Sequence, residues 1–319
     1  MNIALTQGER ARKARGISAV LSYLELTKPR ITSLVVFTTA SGLWLAPVQP
    51  QRHTVLLTLI GTALVVAAAN ALNMYLERET DALMPRTMHR PLPAGRMNPS
   101  LALGFGLLLA AISLPVLSLG VGLLPGLLAS AALVIYVLIY TPMKRYTAAA
   151  LLVGAVAGAI PPLIGWTAVT GRLDLPGVLL FAVMFLWQVP HFLAISLVRR
   201  EEFARAGLRV QPNEPDGERR ARRNIVWYSA VLVGVSFLFI PLGVAGTVYF
   251  DAALVSGGLF LGHGVHGLRA KTGKRWARNE FVASLGYVTV LLAVLVVDHA
   301  YSSNTPAIAL PPREILRKQ

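Results

Sequence analysis

Apolar residues run along this chain in long stretches, interrupted by short polar links, with little of the alternation that marks a half-buried strand. Stretches near or above about 18 residues are long enough to cross a hydrocarbon core. Nine such spans are predicted, at about 31–49, 54–76, 100–117, 119–140, 147–169, 177–198, 225–246, 248–268 and 281–301. The third and fourth are separated by little more than Ser118 and Gly120, the seventh and eighth by a short turn near Gly246. Ahead of the first span, Arg10, Arg12, Lys13 and Arg15 precede Ile17, Val20, Leu21 and Leu24, whose spacing makes an apolar stripe on a short helix. That pattern predicts an interfacial helix on an anionic leaflet. Glu25, Lys28 and Arg30 break the stretch and a full span follows at once, so it is not read as a signal peptide. The predicted fold is an all-α polytopic membrane bundle, one domain over residues 1–319, with 1–30 as a cytoplasmic arm and 302–319 as a short tail.

Composition agrees with the pattern and narrows the function classes. The chain is 55% hydrophobic and only 14% charged, too apolar for a soluble domain. It has no cysteine, which removes disulfides, iron–sulfur clusters and thiolate chemistry. The net charge of +15 would suit nucleic acid, but 25 of the 30 Lys and Arg fall in one set of alternate links. That asymmetry belongs to membrane topology and predicts a cytoplasmic N-terminus and, with nine spans, an outer C-terminus. Eleven of the 15 acidic residues lie on the same side, so the chemistry is expected there.

The stretch NMYLERETDALMPRTMHRPLPAGR, residues 73–96, is the first candidate. Asn73, Glu77 and Asp81 stand four apart and share one helical face over roughly 12 Å of rise. Oxygen donors in that arrangement suit magnesium, which commonly bridges to phosphate, and Arg86, Arg90 and Arg96 follow with planar forks for the same phosphates. The alternative is a solvated cap at the mouth of a membrane helix. Polar residues inside spans are costly and mark a second candidate, Gln188 and His191 on the sixth span, which Arg199, Arg200, Glu201 and Glu202 close. The second and sixth spans thus each deliver polar residues and then a charged loop on one side, which suggests two halves facing each other over a cavity. His191 alone reads equally as a buried histidine bonded to a neighbouring carbonyl. His263 and His266, among the glycines of GHGVHG, read as close helix packing, and Pro161 and Pro162 as a kink packed against small residues. Lys28 and Arg30, and Lys144 and Arg145 after Tyr140, Thr141 and Pro142, converge on the side that carries Glu77 and Asp81.

Taken together, TKPRIT (27–32), NALNMYLERETDALMPRT (70–87), RPLPAGR (90–96), AGAIPPLIGW (157–166) and WQVPHF (187–192) resemble the protoheme IX farnesyltransferase branch of the UbiA-type intramembrane prenyltransferases. The resemblance covers nearly the whole chain in order. It implies nine helices around a cavity open to the cytoplasmic side, in the inner membrane, and transfer of farnesyl from farnesyl diphosphate to a vinyl group of protoheme IX with addition of water. The product, heme O, serves terminal oxidases. The resemblance further implies an Asn-x-x-x-Asp-x-x-x-Asp motif for magnesium and diphosphate, here Asn73, Glu77 and Asp81 with Glu in the middle position. Arg78, Arg86, Arg90, Lys144 and Arg145 are then candidates for the diphosphate, Gln188 and His191 for heme, and Glu202 for a second metal contact. Partners implied are protoheme, farnesyl diphosphate, lipid and proteins of heme biosynthesis or oxidase assembly, with no nucleic acid. The chain departs from the branch at Thr147 and Ala148, after Lys144 and Arg145, where an Asn is common, and at His89, where an Asn is also common. Arg199 and Arg200 stand where wider relatives often carry acids. Rival readings are a prenyltransferase with an aromatic acceptor such as 4-hydroxybenzoate or a chlorophyllide, a secondary transporter with polar groups reachable from both faces, and a heme-binding assembly subunit.

Overall fold

The computed structural model describes residues 19–269 and 273–304, with side chains up to residue 300. The arm residues Arg10, Arg12, Lys13, Arg15 and Ile17 and most of the 302–319 tail lie outside the described residues. Every regular element among the described residues is helical. Residues 19–27 form α1. It is followed by α2 (Pro29–Trp44), α3 (Arg52–Ala82) and α4 (Pro99–Gly120). The next helix, α5 (Leu123–Met143), passes through a π-helical turn at Ile135–Tyr140. The second half holds α6 (Ala150–Thr170), α7 (Leu175–Val198), the short α8 (Arg200–Arg205), α9 (Gly217–Ser236), α10 (Thr247–His266) and α11 (Lys274–Asn304).

Among the described residues seven helices, α3, α4, α5, α6, α7, α10 and α11, are long and apolar enough to cross a membrane. The other two predicted spans differ for physical reasons. With 16 residues, α2 rises about 24 Å, short of a hydrocarbon core of about 30 Å. The first turns of α9 are the charged GERRARRN, so its apolar part is confined to the second half, and a 3₁₀ turn at Phe237–Phe239 prolongs it. The second predicted span, in contrast, outruns its apolar stretch: α3 continues to Ala82, which carries Glu77, Thr80 and Asp81 into the helix.

Close backbone approach sets the bundle together. A Cβ on Gly42 of α2 would lie 2.0 Å from the carbonyl oxygen of Pro162, and one on Gly165 of α6 would lie 2.0 Å from that of Thr39. Glycine at both positions lets α2 and α6 touch backbone to backbone, as small residues do in membrane interfaces. Pro161 and Pro162 sit buried inside α6, and the helix runs through them without interruption. On the other side, Trp187 donates to the Ser284 carbonyl at 2.7 Å and anchors α7 to α11. Gly267 sits where a Cβ would meet the Trp276 ring at 1.9 Å, so this glycine serves close packing, whereas a Cβ on Gly262 would meet nothing within 4 Å and one on Gly264 nothing nearer than 3.7 Å. His263 lies 3.7 Å from the fully buried Glu280 at the α10–α11 seam.

The amphipathic helix expected at the N-terminus is visible from residue 19. Val20, Leu21 and Leu24 point outward, 60%, 52% and 51% exposed, where lipid would lie, whereas Leu26 packs on Ala71, Met74, Leu92 and Met97. Arg96 makes a fork to both carboxylate oxygens of Glu25, at 3.2 and 2.6 Å, and so ties the loop after α3 to α1.

Candidate active site

Three helices, α3, α5 and α7, end at the same end of the bundle, and the loops that follow them meet there. Met84 after α3 packs with Phe203, Ala206 and Leu208 of the α7–α9 connection, joining the two polar lips expected from the sequence. Beneath them lies a cavity of about 740 Å³. Asn73, Glu77 and Asp81 line one wall, and Phe192, Ser196, Glu202 and Phe281 belong to the opposite side.

The three oxygen donors of α3 are held in an interlocked set of contacts. Nδ2 of Asn73 donates to Oε2 of Glu77 and to Oγ1 of Thr141, both at 3.0 Å, and Oδ1 of Asn73 accepts from Nζ of Lys28 at 3.3 Å. Lys144 forms an ion pair with Glu77 and places its ammonium 4.5 Å above the Tyr140 ring. Arg90 pairs with Asp81 at 2.6 Å, and Thr87 caps the end of α3 by donating to the Asp81 carbonyl at 2.8 Å. The π turn explains how α5 reaches this wall. One extra residue in the turn lets Thr141 donate to the Tyr136 carbonyl, five residues back, at 2.8 Å, while its oxygen still accepts from Asn73.

The basic groups carry the cost of this crowding. Burial, aided by the charge of Arg90, pushes the Lys28 ammonium down to about 7. Lys28 also adopts a left-handed backbone (φ 47°) just before Pro29, an uncommon conformation for a side chain that reaches a polar site. Lys144 moves the other way: burial lowers it, but Tyr140 and Glu77 together outweigh burial and hold it above the usual lysine range. The Arg86 guanidinium is lowered by burial and by its neighbours Arg90 and Arg199.

Other sequence-predicted residues stand elsewhere. Arg78 donates to the Tyr75 carbonyl at 2.8 Å, lies over the Tyr75 ring and pairs with the exposed Glu79, off the cavity. Arg145 is also off the cavity lining and donates to Thr80 Oγ1 at 2.9 Å, bracing the last turn of α3. Glu202 does line the cavity, with both oxygens on Arg199 at 3.1 and 3.2 Å, whereas Glu201 turns outward to Lys274 at 2.7 Å. Gln188 is buried, and its amide donates to the Ala155 and Met184 carbonyls at 3.1 and 3.0 Å over Gly158. His191 is buried as well. Its Nδ1 is 2.8 Å from Ser284 Oγ, and its ring is flanked by Trp187 and Phe281 with centroids 4.8 Å away on each side. Phe281, and not His191, faces the cavity.

Sequence reasoning passed over Tyr136, Arg209 and Arg278, which also line the cavity. Arg209 is brought in by its backbone N–H, which donates to the Lys144 carbonyl at 2.8 Å. Arg278 and Phe281 are three apart on α11, a spacing that a helical reading of 274–281 would have placed on one face.

Among the described residues no group of three or more His, Asp or Glu is disposed to hold a metal. The candidate donor set consists instead of two carboxylates and an amide on one helical face, hard oxygen atoms of the kind magnesium takes when it also binds phosphate.

An apolar helical bundle with oxygen donors and many basic side chains in a cavity at one end defines an integral, multi-pass membrane protein suited to an anionic headgroup. The sequence profile of the UbiA prenyltransferase family matches residues 35–285, and the chain belongs to that family. It is 61% identical over 241 residues to the protoheme IX farnesyltransferase of Sorangium cellulosum (strain So ce56), covering 76% of this chain and 86% of that one. It is 50% identical over 287 residues to the enzyme of the same name from Myxococcus xanthus (strain DK1622), covering 90% and 97%. The fold is similar to a solved structure of digeranylgeranylglyceryl phosphate synthase (TM-score 0.76, 18% identity, 88% of this chain and 99% of that one). It is also similar to a UbiA homolog from Archaeoglobus fulgidus bound to GPP and Mg2+ (TM-score 0.60, 17% identity, 86% and 99%).

Proposed function

We propose that this protein transfers the farnesyl group of farnesyl diphosphate to a vinyl group of protoheme IX, with addition of water, to give heme O. The observation that carries the reading is the meeting of Asn73, Glu77 and Asp81 with basic side chains from the α1–α2 junction, the start of the α5–α6 link and the α3–α4 loop at one cavity. The names of the relatives from S. cellulosum and M. xanthus support protoheme as the acceptor.

Farnesyl diphosphate reacts by heterolysis of its allylic C–O bond, in which the electron pair leaves with the diphosphate oxygen. The barrier is the separation of a carbocation from a multiply charged leaving group. Asn73, Glu77 and Asp81 are the residues proposed to hold magnesium, with Glu202 as a weaker donor from the opposite lip. Magnesium bound there supplies Lewis-acid neutralisation of the leaving diphosphate. Lys28, Arg86, Arg90 and Lys144 line the same cavity and can take up charge on the same oxygens. Arg145 acts on this wall through Thr80, as a positioning residue. Tyr136, Phe192 and Phe281 line the cavity, and aromatic side chains there suit both an isoprenoid cation and a flat macrocycle. His191 sets the wall through Phe281, and Gln188 sets the spacing of α6 and α7.

In the membrane, α2 with its following turn and α9 with its 3₁₀ extension are proposed to cross beside the seven long helices. That gives nine crossings in a single domain, with the N-terminus in the cytoplasm, the C-terminus outside and the cavity open to the cytoplasm. The positive-inside distribution of Lys and Arg supports this orientation. The deciding experiment incubates purified protein with protoheme, farnesyl diphosphate and magnesium and weighs the product. A species heavier than protoheme by a farnesyl group plus water is expected. Transfer to 4-hydroxybenzoate in its place would make the protein a prenyltransferase of the aromatic-acceptor type.

A further inference from the structure

Among the described residues seven basic side chains line the cavity against three acidic ones. The acids are matched in place: Glu77 by Lys144, Asp81 by Arg90 and Glu202 by Arg199. Lys28 gives its ammonium to Asn73. Arg86, Arg209 and Arg278 have no carboxylate partner among the described residues, and a diphosphate with its magnesium leaves part of that surplus unmatched. The three also differ in place. Arg86 follows α3 directly, and Arg209 is tied by its backbone to Lys144, so both belong to the wall with the acid face. Arg278 belongs to α11, which packs on α7 and α10, and it stands one turn before Phe281. Phe281 and Phe192 make the neighbouring lining aromatic.

A cation one turn from an aromatic wall, across from the diphosphate machinery, suits a flat apolar ligand that carries a carboxylate. Resting on the reading above, we propose that Arg278 binds a propionate carboxylate of the tetrapyrrole acceptor while Phe281 packs against the macrocycle. The guanidinium fork is matched to a carboxylate in a way a lysine is not. The contact orients the ring system so that one edge stays fixed at α11 and another reaches the acid face. It does not touch the reacting vinyl group, so Arg278 is a binding and orienting residue for the acceptor.

The test compares protoheme with its dimethyl ester, in which both carboxylates are capped, using the full-length protein in detergent or nanodiscs. Binding is read from the heme absorbance and turnover from the farnesylated product. Wild type is expected to bind the ester about 10- to 100-fold more weakly than protoheme, the range of a hydrogen bond to a charged group. Arg278→Gln should weaken protoheme by a similar factor, lose the discrimination against the ester and leave KM for farnesyl diphosphate unchanged. Arg278→Lys, which keeps the charge and loses the fork, should fall between. Equal discrimination by wild type and Arg278→Gln would overturn the proposal, as would a rise in KM for farnesyl diphosphate alone, which would assign Arg278 to the diphosphate. In either case continued farnesyl transfer to protoheme by wild type would leave the parent reading standing. Absence of that transfer in wild type would overturn both.

Discussion

Nη1 of Arg90 stands 2.6 Å from Oδ2 of Asp81, whose side chain is only 2% exposed. The pair joins the last turn of α3 to the loop behind it, so it holds the fold and lies in the site at once. Removing one partner of a buried ion pair costs up to about 3–5 kcal/mol, largely because the other charge is left uncompensated. Asp81→Ala should therefore lower the melting temperature and abolish turnover. Asp81→Ala combined with Arg90→Met should regain much of the stability and none of the turnover. Thermal unfolding and product formation on the same preparations separate the two effects.

Glu77 accepts from Asn73 through Oε2 and pairs with Lys144 through Oε1, so its neutral isostere keeps the size of the side chain, removes its charge and turns one of those two acceptors into an NH2 donor facing a donor. Glu77→Gln should lose about 100- to 1,000-fold in kcat, the usual effect of deleting one charge-stabilising group. Glu77→Asp, shorter by a methylene, should retain more. Single-turnover rates at saturating substrates check the order of the two variants.

For Gln188 the amide is already committed to two carbonyls, one of them across the α6–α7 interface. Gln188→Ala should cost stability and leave acceptor binding unchanged. Gly158→Ala should resemble it, because the new methyl would lie 2.1 Å from Oε1 and displace the amide. A heme titration beside a melting curve tests both variants.

His191 touches Trp187, Phe281 and Ser284 and is off the cavity lining. Its loss should let Phe281 relax into the vacated space. His191→Ala should lower kcat/KM for protoheme while KM for farnesyl diphosphate stays as in wild type, and Phe281→Leu should give the same split. Iron ligation by His191 would show instead as a change in the bound heme spectrum that Phe281→Leu does not reproduce.

Much of this architecture is legible in the chain because hydrocarbon imposes long apolar stretches and four-residue spacing puts Asn73, Glu77 and Asp81 on one face. The spans at α2 and α9 are harder to read. Composition counts apolar residues but cannot show that α2 stops at Trp44 or that the helix of α9 starts eight residues earlier, in charged sequence. The π turn at Ile135–Tyr140 has no signature in a run of aliphatic and aromatic residues, yet it brings Thr141 to Asn73. His191 and Gln188 were rightly picked out as buried polar groups, but a sequence does not tell whether such a group looks into a cavity or spends its hydrogen bonds on a neighbour. Arg278 falls in the basic stretch before the last predicted span, and only the helical register of α11 sets it, still exposed, at the cavity margin one turn before Phe281.

The measurement that bears most directly on the central claim is binding of Mn2+, as a reporter for magnesium, by electron paramagnetic resonance with and without a non-reactive thio-analogue of farnesyl diphosphate. Wild type should bind the ion together with the analogue, and Glu77→Gln and Asp81→Asn should each lose that bound signal while remaining folded. Undiminished Mn2+ and analogue binding in both variants would contradict the account, because the oxygen donors of α3 would then hold neither the metal nor the diphosphate.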